Sequence, residues 1–148
     1  MAYILVVDDE QTVRELISAT LDVDGHEIAC ARDGSEAVDV VLERLPDLIV
    51  LDIAMPRMDG WQFLDALHSR GLRHRTRVVL LSGRFDPSDV PPEEHGATSH
   101  FVRKPFEPEE LRRLVRDALA EEPDTLAVRN DRREELVELL EMVDKTLG

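Results

Sequence analysis

Short aliphatic runs alternate with helix-period stretches from Tyr3 to Leu119, and this alternation leaves few folds open. Leu48-Ile49-Val50-Leu51 is apolar at every position, which suits a strand buried on both faces. Tyr3 to Val7, Val78 to Leu81 and the short Phe101-Val102 read as further strands. Glu27 to Ala31 is weaker and alternating, as at a sheet edge. Between these lie helical patterns. Val13, Leu16, Ile17, Thr20 and Leu21 share one face of a first helix, which Gly25 stops. Asp33 and Glu36 read as cap and N3 of a second, with Ala37, Val38, Val41, Leu42 and Leu45 inward and Pro46 at its end. Asp59 and Gln62 form a capping box for a third, from Gly60 to about Ser69. Pro108 opens the last, which buries Leu111, Leu114, Val115, Ala118 and Leu119. Such repetition implies an α/β fold, a doubly wound parallel sheet with helices on both faces and right-handed crossovers.

Two stretches depart from this regularity. Residues 84–96 hold three prolines, which remove backbone donors and crowd the preceding turn, so a short, displaced or mobile fourth helix is expected there. We divide the chain at residue 120, with an acidic linker and amphipathic helical tail over 121–148. In the tail Leu136, Leu140, Val143 and Leu147 are spaced four, three, four. That stripe is expected to fold back on its own domain, with a homodimer as the alternative. The basic cluster Arg70, Arg73, His74, Arg75 and Arg77 reads as a solvated loop, or else as a dock for an acidic partner. Trp61 reads as a helix anchor and Phe106 as packing.

The formal charge of −14 argues against direct binding of nucleic acid, whose phosphates it repels. One cysteine, Cys30, excludes a disulfide framework and fits a reducing compartment. The amino terminus is wrongly patterned for a signal peptide, and no apolar run reaches membrane-spanning length. A soluble cytoplasmic protein is expected.

In a parallel sheet all strand carboxyl ends share one rim, where ligands bind. Asp8 and Asp9, Asp52, Ser82 and Lys104 stand at those ends. Three carboxylates in one pocket call for a divalent cation, and all-oxygen donors favour Mg²⁺. A lysine and a metal beside a carboxylate form a phosphoryl-transfer site, with the carboxylate attacking in line to give an acyl phosphate. The Ser82 hydroxyl can donate to a phosphoryl oxygen.

These motifs together resemble the response-regulator receiver domain of two-component signal transduction. The matching residues are Asp8-Asp9, Asp52 within Asp-x-x-Met-Pro-x-Met-Asp-Gly, Ser82-Gly83 and Lys104-Pro105-Phe106, and the likeness spans roughly residues 3–120. The resemblance implies a flavodoxin-like sheet in strand order 2-1-3-4-5. It implies that Asp52 is the phosphoacceptor from a sensor histidine kinase or phosphotransfer protein. Mg²⁺ would be held by Asp9, Asp52 and the Ala54 backbone carbonyl, with Asp8 acting largely through water. Ser82 and Phe101 would be the switch pair, Lys104 would contact the phosphoryl group, and a cis peptide bond between Lys104 and Pro105 is expected. Phe101 stands where many members carry tyrosine, so it lacks the phenol's hydrogen bond.

The expected function is a phosphorylation-switched, Mg²⁺-dependent regulator acting through protein contact, not an enzyme that turns over substrate. It would stand alone or serve in a phosphorelay, with a downstream target the sequence does not name. A phosphorylation-independent interaction module is the alternative. A phosphatase with an aspartyl nucleophile is disfavoured, because such a loop wants Asp-x-Asp and Asp52 is followed by Ile53-Ala54.

Overall fold

The computed structural model describes residues 1–55, 58–83 and 100–121. Its elements in order are β1 (Tyr3–Val7), α1 (Gln11–Asp22), β2 (Glu27–Ala31), α2 (Gly34–Glu43), β3 (Leu48–Asp52) and α3 (Gly60–Ser69). A 3₁₀ turn (Arg73–Arg75), β4 (Arg77–Ser82), β5 (Phe101–Arg103) and α4 (Pro108–Ala120) complete them. The strands form one parallel sheet in the order β2-β1-β3-β4-β5, as expected. The expected fourth helix and the amphipathic tail fall outside the described residues.

Strand alternation explains why the sheet needs helices on both sides. Leu5, Val7, Ile49, Leu51, Val78 and Leu80 pack with Ala37 and Val41 of α2 and Phe63, Leu64 and Leu67 of α3. Their neighbours Ile4, Val6, Leu48, Val50, Val79 and Leu81 pack with Ile17 and Leu21 of α1 and Leu111, Val115 and Ala118 of α4. Both layers are closed, so every β3 residue is buried, while β2 at the edge is mostly not. Each fully buried Leu or Ile contributes roughly 1.5–3 kcal/mol.

Local signals behave as their chemistry requires. The Asp33 carboxylate accepts from the Glu36 amide at 2.8 Å, capping α2. Asp59 accepts from the Gln62 amide at 2.8 Å, and Gln62 accepts from the Asp59 amide at 2.9 Å, completing the capping box on α3. Pro108 opens α4, where a missing N–H costs nothing. Gly25 takes φ +79° just past α1, a left-handed turn suited to a residue without Cβ.

Three expectations need correction. Periodicity puts Leu16 and Leu42 on buried faces, but they are 48% and 58% exposed. Each helix meets the sheet along a stripe narrower than its apolar run, Ile17-Thr20-Leu21 in α1 and Ala37-Val41 in α2, and the residue beside the stripe turns outward. Arg73 in the supposedly solvated basic loop is buried, because the 3₁₀ turn folds it under α3. Trp61 does pack against the α2–α3 layer, and Phe106 against the α1–α4 layer.

Candidate functional site

Strand register assembles the rim. Val7 pairs with Leu51, so Asp8 and Asp52 leave the sheet side by side from β1 and β3. Asp52 pairs with Leu81, and Ser82 pairs with Arg103, which brings Ser82 and Lys104 to the same edge. The Lys104 amide donates to the Ser82 carbonyl at 2.8 Å, and the Lys104–Pro105 peptide is cis. Gly60 packs close beneath the exit of β3. A Cβ there would meet the Asp52 carbonyl oxygen and the Ile53 Cα at 2.8 Å each.

Lys104 Nζ lies 2.7 Å from Asp8 Oδ2 and 3.3 Å from Asp52 Oδ2. Both carboxylates are buried, Asp8 fully and Asp52 at 3% exposure. The other oxygen of each accepts from the backbone, Asp52 Oδ1 from Ala54 N at 3.1 Å and Asp8 Oδ1 from Glu10 N at 2.9 Å. Burial pushes the Asp52 carboxyl up to about 6, and the Asp8 charge adds to this against the pull of Lys104. Burial lowers the Lys104 ammonium, but its bonds to Asp8 and the two nearby carboxylates outweigh that and raise it.

Carboxylate oxygens of Asp8, Asp9 and Glu10 lie within 4.8 Å of one another. Asp9 and Glu10 are exposed, and Glu10, though at the α1 N-cap, makes no side-chain cap bond. This donor set is hard and anionic, so it fits a small divalent cation. Glu10 was not among the expected metal residues. Its place next to an Asp pair is the available signal, one that any acid at a helix start shares. Asp52 lies beside this trio through Asp8 and Lys104 rather than within it.

Ser82 is buried and lines a cleft with Ile53, Ala54, Met55, Asp59, Trp61 and Gly83. Phe101 pairs with Leu80 and is half-buried against the α2–α3 layer. The expected site residues Asp8, Asp52, Ser82 and Lys104 therefore converge, with Asp9 and Ala54 at the margin. The arrangement offers two buried carboxylates, Asp8 and Asp52, a lysine in contact with both, and the exposed acids Asp9 and Glu10 beside Asp8. Such a set can accept a group whose transfer builds negative charge on oxygen.

A family model described as the response regulator receiver domain matches residues 4–116. "Response regulator Rre1" of Synechocystis sp. is 37% identical over 79% of this chain and 51% of its own length. "Response regulator MprA" of Mycobacterium sp. strain KMS is 35% identical over 84% of this chain and 56% of its own. "Probable transcriptional regulator ycf27" of Porphyridium aerugineum is 34% identical over 78% and 47%. The chain thus spans about half the length of these relatives. Among solved structures, the chemotaxis protein CheY4 of Vibrio cholerae superposes with a TM-score of 0.71 at 30% identity, covering 80% of this chain and 98% of that one. The Francisella response regulator 1452 receiver domain gives 0.71 at 26% identity, covering 81% and 98%.

Proposed function

This chain belongs to the response-regulator receiver family, and from that premise we propose that Asp52 accepts a phosphoryl group from a sensor histidine kinase or phosphotransfer protein. The observation that carries this is the Lys104 ammonium in reach of both Asp8 and Asp52 at the end of a fully buried strand. Asp52 Oδ2, the oxygen facing Lys104, attacks phosphorus, a new O–P bond forms, and the donor's N–P bond breaks with its electron pair returning to the imidazole. Lys104 can leave Asp8 and follow the charge that gathers on the phosphoryl oxygens. Ser82 donates its hydroxyl to one of them. The Ala54 amide holds the other Asp52 oxygen, so the carboxylate does not rotate away.

The family resemblance would have Asp9, Asp52 and the Ala54 carbonyl hold Mg²⁺; in support, oxygens of Asp8 and Asp9 lie together with one of Glu10. Bound there, the ion neutralises charge that would otherwise repel the incoming phosphoryl group. Movement of Ser82 toward that group vacates space that Phe101 can fill, and the change is read by a protein partner. The chain acts as a phosphoacceptor, not as a turnover enzyme. A transcriptional role like the one named for a relative would reach DNA through a partner or segment of opposite charge, since −14 repels a phosphate backbone. A cytoplasmic setting fits a free, exposed Cys30, and no helix among the described residues is long and apolar enough to cross a membrane.

The test is intact-mass measurement after exposure to a small phosphodonor with Mg²⁺. One phosphoryl adduct on the natural chain and none on Asp52→Asn is the expected result. A folded natural chain that takes up no phosphoryl group would turn the reading to a phosphorylation-independent interaction module.

A further inference from the structure

From Ala66 to Phe85 the chain has no acidic residue, although its net charge is −14. The same stretch holds Arg70, Arg73, His74, Arg75 and Arg77. These residues run from the end of α3 through the 3₁₀ turn to the first residue of β4, which is the end of that strand away from the Asp52 rim. Arg73 is buried, but Arg70 and Arg75 are exposed. Arg32, Arg44 and Arg112 each have a carboxylate partner, whereas no carboxylate among the described residues pairs with Arg70 or Arg75.

The end of α4 is fastened at this same place. Arg77 Nε donates to the Glu121 carbonyl at 2.7 Å, and its Nη1 donates to the Asp47 carbonyl at 3.2 Å. His100 Nε2 and Glu121 Oε2 are 3.0 Å apart. The chain therefore departs toward residue 122 from beside Arg77, two residues along the chain from exposed Arg75. The segment beyond is acidic. Residues 134–144 hold five acidic side chains and no basic one.

We propose that the Arg70–Arg77 connection is the docking surface for the acidic stretch Glu134–Asp144 of the same chain. The intervening residues can span roughly 40 Å when extended, at ~3.3 Å per residue, so reach is ample. Exposed ion pairs are weak singly and are screened by salt. Here the tether keeps the acidic stretch at high effective concentration, so several weak pairs act together. Charge sign favours this acid-free stretch as the dock for an acidic segment in a chain of net charge −14.

The experiment uses the 148-residue chain, ¹⁵N-labelled, carrying Cys30→Ser and a nitroxide on Thr146→Cys. At low salt the spin label should broaden the amides of Arg70 to Arg77. The broadening should be lost at high salt and lost in Arg70→Glu/Arg75→Glu. Both arginines are exposed, and unchanged dispersion of the other amides verifies that this variant is folded. Broadening absent, spread over other faces, or arising only between labelled and ¹⁵N molecules in a mixed sample would overturn the proposal. The last of these would assign the surface to a second copy instead.

Discussion

Asp52 is held between two opposing influences, a buried setting that resists its charge and a lysine that invites it. Its carboxyl carbon, followed by NMR in chelator, should titrate with a midpoint near pH 6. Lys104→Met should move that midpoint up, and added Mg²⁺ should move it down, because each changes the positive charge at the same oxygen pair. The folded-state value lies above the unfolded one. The protonated form is therefore favoured by folding, and the stability it contributes is lost as pH rises from about 4 through 6. Asp52→Asn should recover it, raising stability at pH 7 by about 1–3 kcal/mol in denaturant titrations with no gain at pH 3. Lys104→Met should also slow labelling by the small phosphodonor by ~10²-fold, the scale expected for losing one donor to a developing charge. The partners Asp8, Asp52 and Lys104 were readable in the sequence because each ends a strand, and a parallel sheet has only one rim. Glu10 was not, since a carboxylate at a helix start has the same sequence signature whether it caps or stays free to bind.

Among the elements, α3 is tied to the site by its first residues. Its capping box was legible because both bonds are local, Asp59 to Gln62 and back. The crowding at Gly60 was not, because it depends on how α3 sits under β3. Gly60→Ala should push the exit of β3 aside, lowering stability by about 1–3 kcal/mol and slowing phosphorylation as well. Asp59→Ala should cost about 1 kcal/mol, with the labelling rate much less affected. Calorimetry and the mass assay applied to both variants distinguish a cap from a spacer. The same limit explains Leu16 and Leu42. Periodicity identifies the apolar side of a helix, but the width of the buried stripe is set by the neighbouring layer.

At the scale of the whole molecule, the central strands are sealed in both layers, so the rim is where the structure can respond. A phosphoryl group at Asp52 can only bias states already close in energy. In the proposed switch, a fluorinated Phe101 should lose solvent exposure on phosphorylation, and Ser82→Ala should blunt that change while leaving the adduct detectable by mass. Strand order was legible through the family resemblance, whereas the closeness of Glu121 to Arg77 and His100 joins residues far apart in the chain and had no local trace. The Lys104 amide donates to the Ser82 carbonyl at the rim. The bearer of the ammonium and the bearer of the hydroxyl share a single backbone rung, so the two side chains face the phosphoryl group from adjoining positions. Substitutions at these two positions should therefore show epistasis: a double-variant cycle on the labelling rate should depart clearly from the product of its single effects.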